Sequence, residues 1–189
     1  MTGLVVGEDG LARCWWATST VDYRAYHDDE WGQTLHGDDA LFERLALEAF
    51  QSGLSWLTIL RKREAFRQAF AGFRVEEVAA FGDRDVTRLL ADAGIVRNRA
   101  KIEAVLHNAR VAADLPDGLD PLLWSYAPTR RRARPKSLAD IPSITPESTA
   151  MAKDLKKRGF RFVGPTTAYA LMQSTGMVDD HVRGCHAGR

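Results

Sequence analysis

Four residues near the two ends of the chain have the types that hold a metal ion. The only two cysteines are Cys14 and Cys185; His27 follows the first, and His181 precedes the second by four residues. Two thiolates and two imidazoles make a closed tetrahedral zinc site, which has no open position for water or substrate. A zinc ion there fastens the two ends of the fold and leaves the chemistry to other residues. The spacing also allows plainer readings. The cysteines can be buried small hydrophobes, and the first pair lacks the tight CxxC of a zinc ribbon. A disulfide is the poorer fit, since nothing else in the sequence points to an oxidising compartment.

A second set centres on a carboxylate. Leu41, Leu45, Glu48 and Ser52 fall on one helical face, which puts Glu48 in line with an apolar stripe. A carboxylate there is costly unless it is paired or used. Either a structural partner or a functional role accounts for it. Trp56 follows eight residues later in QSGLSW, where Gly53 permits a sharp approach of the backbone, and Tyr23 and Tyr26 stand just before His27. Each aromatic alone reads as core packing. Together with a glutamate they make a pocket that can sandwich a flat ring.

The third set is the segment GFRFVGPTTAYALMQSTGMVDDHV, Gly159 to Val182. One helix ends near Arg158, a short turn carries Val163 and Gly164, and a new helix starts near Pro165 with Thr166 and Thr167 in its first turn. Backbone N–H groups at such a turn can hold a phosphate without reading sequence. An ordinary helical hairpin is the plainer reading.

The elements that must position these residues are helical. Apolar periodicity predicts helices over about Asp39–Ala49, Ser55–Phe70, Val75–Phe81, Asp85–Ala93, Asn98–Asp114, Leu119–Tyr126, Pro146–Arg158 and Pro165–Ser174. No segment shows convincing strand alternation, so the expected fold class is all-α. Pro128 to Pro146, with four prolines and an arginine run, reads as the long loop. At 189 residues and 45% hydrophobic content the chain makes one globular domain, or two closely packed helical lobes, with the hairpin at about 155–176.

Net charge is only +1, so overall balance says nothing about nucleic acid. Two basic runs stand out: Arg130, Arg131, Arg132, Arg134 and Lys136, then Lys153, Lys156, Lys157, Arg158 and Arg161. Each is a solvated surface or a meeting place for phosphates. No stretch approaches the roughly 20 apolar residues of a membrane span, and the start MTGLVVGEDG lacks the form of a secretory signal. The default expectation is a soluble cytoplasmic monomer.

Taken in order, RCWWA, YRAYHDDEWG, LEAFQSGLSWLTIL, RKREAFRQAF, DAGIVRNRAKIEAV and KKRGFRFVGPTTAYALMQSTGMVDDHVRGC run from about Arg13 to Cys185. This set resembles the bacterial 3-methyladenine DNA glycosylase I (Tag) family of the helix-hairpin-helix superfamily. The resemblance implies one structural zinc held by Cys14, His27, His181 and Cys185. It implies a base pocket of Tyr23, Tyr26, Trp56 and Glu48, with Glu48 as the catalytic candidate. The implied substrate is double-stranded DNA carrying alkylated adenine, and the implied reaction is hydrolysis of the N-glycosidic bond of 3-methyladenine.

For DNA contact, Gly53 and Leu54, with Gln51 and Ser52, are the expected lesion probe, and Val163, Gly164 and Thr166 the expected phosphate contacts. Two departures stand out: Phe162 occupies a position where many glycosylases of the superfamily carry glycine, and the chain ends soon after Cys185. Related glycosylases use an aspartate near VDDHV, so Asp179 is a weaker catalytic candidate. Two rival classes remain: a non-catalytic binder of damaged DNA, and a zinc hydrolase, which four protein ligands disfavour.

Overall fold

The computed structural model describes residues 3–188. Among them nine α-helices follow one short hairpin: β1 (Leu4–Val6), β2 (Ala12–Cys14), α1 (Val21–Asp29), α2 (Asp38–Gln51), α3 (Trp56–Ala69), α4 (Val75–Ala79), α5 (Asp83–Ala91), α6 (Arg99–Ala113), α7 (Leu119–Trp124), α8 (Pro146–Lys157) and α9 (Pro165–Ser174). The fold is mostly helical, as expected, with one small two-stranded sheet that the all-α expectation did not include. β1 and β2 pair antiparallel with Leu4 opposite Cys14 and Val6 opposite Ala12. Three-residue strands are too short to leave a period-two signal. The consequence is functional in place, because β2 ends on Cys14.

Helix α2 is the centre of the molecule. Leu41, Phe42, Leu45, Leu47 and Phe50 are all 1% exposed or less, each worth about 1.5–3 kcal/mol of apolar burial. Asp38 and Asp39 sit in its first turn, where negative charge complements the helix dipole. They also tie the helix to its neighbours. Asp39 Oδ1 accepts from Val75 N at 2.8 Å, and Asp38 accepts from the backbone N–H groups of Leu119 and Asp120, both at 2.9 Å. Behind α2, the rings of Phe50, Phe66, Phe70 and Phe73 follow one another at centroid spacings of 4.6 to 6.2 Å.

Helix starts follow capping chemistry. Ser55, Asn98 and Thr145 accept from the N–H groups of Thr58, Lys101 and Ser148, and Pro146 and Pro165 occupy first-turn positions that need no N–H. Helix α1 was absent from the periodicity reading. Its buried residues are Tyr26 and His27, so it has no aliphatic stripe to detect. The loop from 128 to 146 is irregular apart from a single 3-10 turn at Leu138–Asp140. Its arginine run is not all solvated: Arg134 is folded inward and donates to the carbonyls of His181, Val182 and Cys185.

Candidate active site and metal-ligand cluster

A cavity of about 360 Å³ is lined by the segment after β2 and by α1, α2, α3 and α9. All four pocket residues expected from sequence, Tyr23, Tyr26, Glu48 and Trp56, line it. Trp16 and Trp31 line it too, and sequence reasoning passed over both although they sit in RCWWA and YHDDEWG. Trp16 meets Trp31 and Tyr23 edge-on at 5.2 and 5.6 Å. Tyr26 and Trp56 lie 5.4 Å apart, tilted by 47°. Two stacked contacts need about 7 Å, so no ring fits between those two. They form one side of a slot.

The tyrosines differ in freedom. Tyr23 Oη accepts from Leu57 N at 3.0 Å, so its hydroxyl is engaged at the start of α3. Tyr26 is 3% exposed, and burial holds its phenol above the usual range. Glu48 is 6% exposed, and burial pushes its carboxyl up to about 8, against a downward pull from Arg44 one turn earlier. Arg44 cannot neutralise it fully, because Arg44 Nη2 already bonds Glu30 at 2.8 Å and its guanidinium lies over the Tyr26 ring at 5.5 Å. The cavity thus holds an acid whose proton is released near neutrality, inside an aromatic wall.

Three of the four expected ligands come together. Cys14, His27 and Cys185 offer ligand atoms that all lie within 4.8 Å of one another, and all three are buried. Cys185 Sγ lies 3.3 Å from His27 Nε2. The hydrogen bond from Cys14 holds the Cys185 thiol well below the ordinary range despite burial, with His27 adding to the effect. His181 stands outside that tight group, its ring 5.0 Å from that of His27. Its Nε2 is buried with no hydrogen-bond partner among the described residues. An orphan imidazole nitrogen beside two thiols and a second imidazole is the donor chemistry of a soft divalent cation.

Both histidines are oriented from behind. His27 Nδ1 lies 2.8 Å from Asp28 Oδ1, and His181 Nδ1 lies 2.8 Å from Asp179 Oδ1. A carboxylate on Nδ1 leaves Nε2 as the free donor to a metal. Arg13 holds Asp28 in turn at 2.8 Å. Gly32 makes room for the His181 ring: a Cβ on Gly32 would lie 2.7 Å from His181 Cε1, and its φ is +78°. A metal held by these residues is expected to bind roughly 10- to 100-fold more weakly when Asp28 is replaced by Asn. Competition with a chromogenic chelator reads this out, and unchanged affinity would remove Asp28 from the assembly.

The expected DNA contacts fall at two exposed turns. Gly53, with φ +80°, and Leu54, 40% exposed, follow α2. Lys101 reaches under this turn from α6 and donates to the carbonyls of Phe50 and Ser52 at 2.9 and 2.5 Å. It is only 8% exposed, and sequence reading missed it. Lys101→Met is expected to raise KM for DNA several-fold with little effect on free-base binding, checked by steady-state kinetics and base titration side by side.

At the other turn, Gly164 and Thr166 are exposed but Val163 is 8% exposed, leaving only its backbone for contact. Phe162, 44% exposed, adopts φ +57°, so the backbone keeps a left-handed geometry that glycine takes without strain. Asn108 of α6 clasps the turn by bonding both Arg161 O and Arg161 N.

A mostly apolar aromatic slot with one buried acid, set on a helical scaffold, is the kind of cavity that can hold a flat ring. Comparison with known proteins gives the family. The methyladenine glycosylase family model matches residues 16–188. The chain is 44% identical over 179 residues to DNA-3-methyladenine glycosylase 1 of Escherichia coli K12, covering 93% of this chain and 96% of that one. A crystal structure of 3-methyladenine DNA glycosylase I superposes with a TM-score of 0.88 at 43% identity, over 92% of this chain and 98% of that chain. The Staphylococcus aureus enzyme, in a study of 3-methyladenine recognition, gives 0.89 at 35% identity, over 94% and 96%. The chain belongs to the methyladenine glycosylase family.

Proposed function

We propose that this protein is a base-excision glycosylase that extrudes 3-methyladenine from alkylated double-stranded DNA and hydrolyses its N-glycosidic bond. The observation that carries the reading is the cavity in which Glu48 stands buried among Tyr23, Tyr26, Trp16, Trp31 and Trp56. A non-catalytic binder of damaged DNA has no use for such a slot. A family match along nearly the whole chain supports the same activity.

The chemistry follows from the substrate. Methylation at N3 leaves the adenine cationic in DNA, so it departs as a neutral base and needs no strong general acid. The protein must take the base from the stack, hold it, and stabilise the sugar cation that forms. Tyr26 and Trp56 offer π faces to the cationic ring, worth about 0.5–2 kcal/mol over neutral adenine. Glu48 supplies the complementary charge and accepts from the base edge. Gly53 and Leu54 probe the lesion. The α8–α9 pair acts as the helix-hairpin-helix element, with Gly164, Thr166 and the Val163 backbone against phosphate. The whole chain works as one catalytic domain.

The pH dependence has a definite sign. Glu48 is protonated below about 8 in the free protein, and its ionised form is the one that meets a cation. kcat/KM is therefore expected to rise as pH climbs through about 8. The bound cation draws the carboxyl pKa down, so the limb in kcat lies at lower pH. Glu48→Gln flattens both limbs. A wild-type profile that falls over this range would contradict the assignment.

Cys14, His27, Cys185 and His181 would hold one zinc ion, which supplies a structural fastening between the termini. The orphan Nε2 of His181 and the paired carboxylates behind both imidazoles support that set. Asp179 is engaged with His181 and is not among the residues lining the base cavity. Asp179→Asn is therefore expected to lose far less activity than Glu48→Gln; equal near-complete losses in two folded variants would favour an aspartate mechanism. The reading as a whole is tested by titrating free 3-methyladenine against tryptophan fluorescence. Saturable quenching that adenine and 7-methylguanine fail to reproduce is expected, and no quenching by a folded protein would overturn it.

A further inference from the structure

Helix α9 sends one polar side chain to the base cavity, Gln173, and ties it to a buried carboxylate behind. We propose that Gln173 reads the base edge through its amide oxygen, and that Asp180 is the positioning residue fixing which way that amide faces, so that the cavity selects purines carrying an amine, not a carbonyl, at position 6. This rests on the reading of the cavity as a base site and adds a specificity element to it.

The geometry is a short chain of bonds. Asp180 Oδ2 accepts from Tyr169 Oη at 2.5 Å and from Gln173 Nε2 at 2.9 Å. Asp180 is 6% exposed and Tyr169 is 1% exposed, so neither partner is readily exchanged for water. Arg132 Nη1 approaches the far side of the Tyr169 oxygen at 3.5 Å, which leaves the phenol proton for Asp180. A primary amide can present either its oxygen or its nitrogen to a neighbour at little cost. Beside an accepting carboxylate only the nitrogen is tolerated. Asp180 lines a separate cleft with Arg131 and Arg132, while Gln173 lines the aromatic cavity. With its nitrogen engaged on the Asp180 side, the amide has its oxygen left for the cavity.

A fixed carbonyl oxygen discriminates where a carboxyl group does not. Glu48 exchanges its proton near neutrality and can present a donor or an acceptor to whatever edge it meets. Gln173, once pinned by one N–H on Asp180, keeps its oxygen turned toward the base and accepts there. It pairs with the N–H of an adenine-type amine. Against the carbonyl of a hypoxanthine- or guanine-type ring it sets acceptor against acceptor and leaves both oxygens without a donor from one another. The sense of the amide is therefore a specificity device, and its control lies one bond further out, in Asp180.

The test compares binding of two free bases, 3-methyladenine and 3-methylhypoxanthine, in which a carbonyl replaces the amine. Wild-type protein is expected to prefer the amine by roughly tenfold or more. Gln173→Leu should lose most of that preference. Asp180→Asn should lose it as well, since asparagine donates as readily as it accepts and releases the amide to turn; Asp180→Ser serves if the isosteric variant does not fold. Tyr169→Phe, which leaves Asp180 and Gln173 paired, should keep it. Undiminished preference in Gln173→Leu would overturn the role of Gln173, and undiminished preference in the Asp180 variants would overturn that of Asp180. Wild-type protein that binds both bases equally overturns the proposal while leaving the base site standing. Wild-type protein that binds neither overturns the base-site reading, and the proposal with it.

Discussion

Glu48→Gln is expected to reduce release of 3-methyladenine by at least about 100-fold, the scale on which removing one preorganised electrostatic contact acts, with the folded state retained. The substitution keeps shape and removes only the charge. In the wild-type protein that charge is costly: burial holds the carboxyl at about 8, well above the 4.5 of an exposed glutamate. A group with a raised folded pKa stabilises the fold fully below its unfolded pKa and loses that contribution as pH rises through the folded one. Wild-type stability therefore declines between about 4.5 and 8 through this residue, and the glutamine variant is free of that decline. Thermal melts across this range, run beside activity assays, separate the two effects. Loss of activity together with loss of fold would remove Glu48 from the chemistry and make it structural.

Cys185→Ser, or chelation of a metal held by the Cys14, His27, Cys185 and His181 set, is expected to lower the melting temperature by roughly 10 °C, since metal bound only by the folded state is folding free energy. The effect is large because the cluster spans the chain: Cys14 ends β2, and Cys185 lies 171 positions further on. Val182, packed with the two cysteines, is fully buried, and its backbone N–H donates to Cys14 Sγ at 3.4 Å. The loss reaches the cavity as well. Cys14 leads directly into Trp15 and Trp16, and His27 lies 5.1 Å from the Trp16 ring. Free-base affinity is expected to fall alongside stability. Elemental analysis that finds no zinc, with a melting temperature indifferent to chelator, would contradict the structural-metal reading.

How far the site could be read from the chain depends on the kind of signal each part leaves. Glu48 was visible because a charge interrupts an apolar helical stripe, and the cysteines because there are only two. The helices from α2 onward follow apolar periodicity and capping, and their bounds agree to within a few residues. Helix α1 and the β1–β2 hairpin escaped because one buries an aromatic and a histidine and the other is three residues deep. Trp16 and Trp31 carry no local signal that sets them apart until the fold gathers them around one space. Lys101, Asn108 and Asp180 act across separations of 49 to 53 or through a neighbour's amide, and no local pattern announces that. Asp179 reads as a catalytic candidate by position in the chain. Its 2.8 Å bond to His181 Nδ1 ties it to the Cys/His cluster.

The central claim is that this cavity releases a methylated base from DNA. Purified protein is incubated with methylated double-stranded DNA, and the freed bases are separated by chromatography, with Glu48→Gln in parallel. The account predicts release of 3-methyladenine with 7-methylguanine left in place, and near silence from the variant. A folded, zinc-loaded protein that releases no base, yet binds the methylated DNA, would contradict it and leave a binder of damaged DNA in its place.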